Sequence, residues 1–132
     1  MAMTSAAMFA GVSPNRMIWV TFKVRGFHCY PGAPEAVAYL RERHRHQFGF
    51  RVWIEVFGDN REIEFHMTQA WLESLYAKDG VLEADGKSCE MLANELYARM
   101  VEEQRFQNRD IWIEVDEDGE CGALMRYERG AR

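Results

Sequence analysis

Apolar and polar residues alternate over two long stretches early in the chain. In residues 17–28, Ile18, Val20, Phe22 and Val24 share one side, and Gly26 and His28 continue their parity. In residues 44–56, Phe48, Phe50, Val52, Ile54 and Val56 share one side, and Arg45, Gln47, Gly49, Arg51, Trp53 and Glu55 the other. A period of two marks a half-buried strand, so both stretches read as long strands. His44 and His46 open the apolar face of the second, and His28 closes that of the first unless a bulge at Gly26 breaks the parity. Residues 30–43 form a connection. It starts with turn chemistry at Pro31-Gly32-Ala33-Pro34, and residues 35–43 have room for one or two helical turns. It is long for a hairpin and is where a lid or substrate loop would sit.

Beyond a turn at residues 57–60, residues 61–65 read as short and extended. Over residues 67–76 the period lengthens, with Met67, Ala70, Trp71 and Leu75 forming a helical stripe. Residues 77–87, with their glycines and charges, read as loop. Ser88 is a suitable N-cap for a second helix, with Glu90 at the positive end of its dipole and Cys89, Leu92, Ala93, Leu96, Met100 and Val101 as its apolar stripe. Strand alternation returns in residues 110–115 and 123–129, separated by an acidic turn at 116–122. The order strand-strand-helix-helix-strand-strand predicts an α+β fold: a four-stranded antiparallel sheet with two helices on one face. Two open sheet edges then need protection, and neighbouring subunits are one means of closing them.

At 132 residues, nearly half of them apolar, the chain fits a single globular domain. Residues 1–16, small and polar, read as a flexible extension before a domain at 17–132. A formal charge of −5 argues against nucleic acid as a partner, and no apolar run approaches the ~20 residues of a membrane helix. Cys29, Cys89 and Cys121 are odd in number and form no CxxC, which fits a reducing, cytoplasmic setting without a disulfide framework.

The chemistry begins at His44-Arg45-His46. Two imidazoles two residues apart on one strand face can reach a single zinc ion, but a catalytic zinc usually takes three protein ligands and keeps one position open. His28, on the matching face of the first strand, is the candidate third ligand. Packed or hydrogen-bonded histidines are the plain alternative. Arg41, Arg43, Arg45 and Arg51 form a local basic patch, either solvated or suited to a phosphate or carboxylate.

Between residues 22 and 127 the chain resembles the 6-pyruvoyl-tetrahydropterin synthase / 6-carboxytetrahydropterin synthase family. The resemblance rests on Phe22 to His28 ending a strand and on His44-Arg45-His46-Gln47-Phe48 opening the next. Ile63-Glu64-Phe65, then Lys87-Ser88-Cys89-Glu90-Met91-Leu92-Ala93 at a helix start, and Ile113-Glu114-Val115-Asp116-Glu117 at the end of a strand complete the series. The resemblance implies the tunnelling fold, with strands forming an inter-subunit barrel in a homo-trimer or homo-hexamer. It implies Zn2+ on His28, His44 and His46. It also implies a pterin ring anchored by Glu117, whose carboxylate can accept two donors at once, with Glu90 as a further substrate-binding position. The implied substrate is dihydroneopterin triphosphate or a related pterin.

The departures are specific. The family's catalytic Cys precedes the histidine pair, where this chain has Leu40-Arg41-Glu42-Arg43, and its Leu-Asp-His between the two helices has no match. Cys29 is the substitute candidate for a nucleophile or base, against the plainer reading of a buried inert thiol. Asp79 and Asp85 are the other candidate bases. His66 is out of place and reads as a surface residue. Glu117 stands in an acidic turn where solvated charge is the ordinary reading, and Glu90 is explained equally by the helix dipole. An enzyme of the pterin-synthase type therefore competes with a non-catalytic protein that binds or sequesters a pterin or purine-like ligand, and with a purely structural subunit.

Overall fold

A computed structural model describes residues 10–76 and 80–130. Its strands are β1 (Arg16–His28), β2 (His44–Val56), β3 (Val81–Asp85), β4 (Ile111–Glu117) and β5 (Cys121–Tyr127). They form one mixed sheet in the order β3-β1-β2-β4-β5. The helices are α1 (Phe65–Ser74) and α2 (Cys89–Met100), with 3-10 turns at Glu35–Arg41 and Gln104–Phe106.

This sheet corrects the expected four-stranded antiparallel arrangement and, with it, the tunnelling-fold reading. A fifth strand lies at one edge, and it is parallel to β1, pairing Arg25 with Val81 and Gly26 with Leu82. Residues 77–87 had the composition of a loop. Val81-Leu82-Glu83-Ala84 is too short to display a period, and the unpaired edge of β1 recruits it. The strand lies between Gly80 and Asp85, both at positive φ, and it buries Ala84 completely. By running upward beside β1 it returns the chain to the histidine end of the sheet, which places Ser88 and the start of α2 there.

Three further boundaries differ. Residues 61–65 are not a strand: the Glu64 carboxylate accepts from the Met67 amide at 2.6 Å and starts α1 at Phe65. The acidic turn shrinks to residues 118–120 because Glu117 and Cys121 already pair across the β4–β5 hairpin. Asp118 and Gly119 supply the positive φ values, 59° and 70°, that this tight connection requires. Residues 10–15 carry no strand or helix, and Arg16, placed in the extension by its composition, is the first residue of β1.

The β1–β2 register is unbroken from Arg16 opposite Val56 to His28 opposite His44, and Gly26 stands opposite His46. Parity therefore survives Gly26, and the irregularity falls on the β3 side, between Phe27 and His28. Gly26 is required by close approach: a Cβ there would stand 2.8 Å from the Leu82 carbonyl oxygen and 2.8 Å from two ring carbons of Phe48. The inner face of the sheet carries Val20, Phe22, Val24, Phe48, Phe50, Val52, Ile54, Ile113 and Val115, all buried. Leu72 of α1 and Leu92, Ala93, Leu96 and Met100 of α2 join the same core. Ser88 caps α2, accepting from the Met91 amide. Among the described residues no helix covers the outer face. It bears Trp19, exposed at 53 %, with Trp53 and Trp112 half-buried beside it; Arg51 lies over Trp19 and Arg126 over Trp112.

Candidate metal centre

The unbroken register has a direct consequence at the top of the sheet. His28 and His44 are cross-strand partners, and His46 is one step down on the same face, so three imidazoles meet at the end of β1 and β2. Their ring centroids are 4.4, 4.8 and 4.8 Å apart, with planes at 70°, 77° and 90°. Phe48, fully buried, forms the floor, with the His28 and His46 rings edge-on to it at 5.4 and 5.8 Å. One potential ligand atom from each histidine falls within 4.8 Å of the others. Tetrahedral zinc with Zn–N near 2.1 Å holds its nitrogens about 3.4 Å apart, so shifts of about an ångström would close the set.

The hydrogen bonds decide which nitrogens face inward. His44 Nδ1 meets the Glu42 carbonyl at 2.8 Å, and His46 Nδ1 meets Asp118 Oδ2 at 2.6 Å. His28 is hydrogen-bonded to the Lys87 backbone. The Nε2 atoms of all three are buried and have no hydrogen-bond partner. A neutral imidazole that donates through Nδ1 keeps its lone pair on Nε2. Three such lone pairs converging away from any donor could hold a cation, and each ring is oriented as metal-binding histidines are.

Glu117 adds negative charge at this point. Its Oε2 lies 2.9 Å from His46 Nε2 and 3.2 Å from His28 Nε2, within ion-pair range but off the line of a hydrogen bond. Burial pushes the His28 imidazole below its ordinary value; the Glu117 carboxylate opposes this, and His44 and His46 add to it. Loss of the proton is the form a metal needs. The Asp118 carboxylate is held below the usual range, first by the Gln47 amide and then by His46.

A cavity of about 590 Å³ adjoins the cluster, with His28, Cys29, Cys89, Glu90, Glu117 and Cys121 in its wall. Glu90, Glu117 and Cys29 thus share a cavity wall with His28, and Glu117 reaches His46 as well. Asp85 is exposed and does not line the cavity, and Asp79 lies outside the described residues. His66 is an exposed residue of α1. The basic patch disperses: Arg41 binds the Ala33 carbonyl and Glu35, Arg43 binds Glu83 and lies over Phe27, and Arg51 lies over tryptophans. Arg45 instead joins Arg25, His46, Gln47 and Asp118 around a second cavity of about 480 Å³.

Sequence reasoning missed Asp118, Cys89 and Cys121 as site neighbours. Burial, with help from Glu117, pushes the Cys89 thiol up to about 12, and Cys121 is also raised, chiefly by burial. A three-residue hairpin loop would have been the signal, since it sets Cys121 opposite Glu117. Among the described residues no helix is long and apolar enough to cross a membrane. Compared with known protein families and with curated proteins, the chain matches no family model and no curated sequence.

Proposed function

We propose that the protein holds a zinc ion on His28, His44 and His46 and acts on a pterin-like heterocycle in the adjoining cavity, as the pterin synthases it resembles do. The observation that carries this reading is the convergence of three buried, unpartnered Nε2 atoms beside a cavity of about 590 Å³ walled by Glu90 and Glu117. Nitrogen ligands in this number suit zinc with a position left for substrate. Zinc bound there would polarise a substrate oxygen and acidify the neighbouring C–H or O–H. Glu117 and Glu90 would accept from the ring's N–H and amino donors, fixing its orientation. Phe48 keeps water from beneath the ligands. Cys29, next to His28 on the cavity wall, would exchange a proton with substrate.

A second reading has its own support. The positions before the histidine pair carry no thiol, and Arg41 there is tied to Glu35 and the Ala33 carbonyl. The same pocket without turnover would bind or sequester a pterin or guanine-type ligand. Zinc per subunit, measured in the parent and in His28→Ala, His44→Ala and His46→Ala, tests the metal reading. About one zinc in the parent, lost in each variant, is expected, and a folded, zinc-supplemented parent without metal refutes the enzyme reading and leaves the binder. Product formed from dihydroneopterin triphosphate, abolished with the zinc, supports the enzyme; saturable pterin binding without product supports the binder.

A further inference from the structure

We infer that Asp118 is the positioning residue for His46, the carboxylate that turns this imidazole's Nε2 toward the metal. The inference rests on the zinc reading above. Asp118 stands in the hairpin loop with both oxygens engaged: Oδ1 accepts from the Gln47 amide at 2.7 Å and Oδ2 faces His46 Nδ1 at 2.6 Å. The Asp118 amide donates in turn to the Gln47 carbonyl at 2.8 Å. The loop is therefore latched to β2 at the residue next to His46, and the carboxylate arrives with its direction fixed. An ionised carboxylate only accepts, so His46 donates through Nδ1 and keeps its Nε2 lone pair.

The other two histidines are held differently. His44 is oriented by the Glu42 carbonyl and His28 by the Lys87 backbone, which no substitution removes. Among the described residues Asp118 is the side chain that performs this task. It also brings a charge, and a carboxylate behind an imidazole raises the ligand's basicity as well as fixing its tautomer. Asparagine cannot replace it fully: in place of one of the two accepting oxygens it presents an NH2 donor to the Gln47 amide or to His46 Nδ1.

The test uses the full chain and two readouts, zinc affinity by competition with a chromophoric chelator and the His46 tautomer by 15N NMR of the metal-free protein. Asp118→Asn and Asp118→Ala are compared with the parent and with Asp116→Asn. Asp116 accepts from the Gly119 amide at 2.7 Å, so that variant disturbs the same turn without touching His46. Asparagine tolerates the positive φ of position 118, which keeps Asp118→Asn folded. Both Asp118 variants are expected to weaken zinc binding about 10- to 100-fold and to turn a single Nδ1–H tautomer into a mixture, while Asp116→Asn matches the parent in both. Unchanged affinity and tautomer in Asp118→Asn overturn the inference while the metal reading stands. Equal weakening in Asp116→Asn also overturns it, because the effect then belongs to the turn. A parent that takes up no zinc removes the metal reading itself, and the inference with it.

Discussion

Replacing Gly26 by alanine puts the packing beneath the three histidines to a quantitative test. The added Cβ would stand 2.8 Å from a backbone oxygen of β3 and 2.8 Å from the ring of Phe48. Neither neighbour is the free end of a flexible side chain: the carbonyl belongs to the parallel ladder, and Phe48 is fully buried. Overpacking of this kind costs about 1–3 kcal/mol, and contacts on two sides favour the upper end. Alanine recovers about 0.5–1 kcal/mol through the smaller conformational freedom of the unfolded chain. The net loss is about 2 kcal/mol, or a fall in Tm of about 8 °C at roughly 4 °C per kcal/mol for a domain of this size. Gly86→Ala is the control, since a Cβ there meets nothing within 4 Å; it should be neutral or slightly stabilising. Thermal unfolding followed by circular dichroism measures both. Because the His28 and His46 rings rest edge-on against Phe48, Gly26→Ala should also weaken the zinc binding proposed above. If it melts with or above the parent, the confinement of Phe48 between Gly26 and the histidines is wrong.

Other consequences are open to simpler measurements. Ser88→Ala should cost about 1 kcal/mol in chemical denaturation by removing the cap on the Met91 amide; no change would mean that the cap is replaced by water. In the native protein an alkylating reagent at pH 8 should modify exposed Cys121 before Cys89, which is buried and pushed up to about 12; peptide mass mapping with Cys89 labelled first would contradict this. Glu62 is held below its usual range by Arg109 and by the Phe57 and Gly58 amides. Its stabilising contribution is therefore complete above its unfolded value of about 4.3 and lost as pH falls through the lower folded value. Glu62→Gln should destabilise at pH 7, and its deficit should shrink as pH falls below the unfolded value; a deficit that does not change with pH would assign the effect to packing.

The two long strands were legible because each repeats its period over a full 13 residues, and with them came the face on which His28, His44 and His46 meet. The α2 cap and stripe were equally plain, since Ser88 begins a helix that buries Cys89, Leu92, Ala93, Leu96 and Met100. β3 was hidden for a physical reason: five residues that pair in parallel across a bulge owe their conformation to the edge of β1 and to the burial of Ala84, neither of which is a local property. Asp118 was hidden too, because in an acidic run every carboxylate looks alike until the hairpin register selects one to face His46. Glu117 was read as a ring anchor; the structure sets it against two imidazoles as well as the cavity.

The tryptophans of the outer face give the molecule a built-in optical reporter. Trp19, Trp53 and Trp112 sit on the side of the sheet away from the histidines, and the remaining Trp71 is stacked on Phe106 beneath α1. None belongs to the histidine cluster or lines the cavity beside it. Intrinsic emission is therefore governed by what happens on the bare face, where indoles lie in reach of arginine and solvent. A blue shift on raising protein concentration would signal that face becoming covered, whereas filling the pocket should leave the spectrum unmoved.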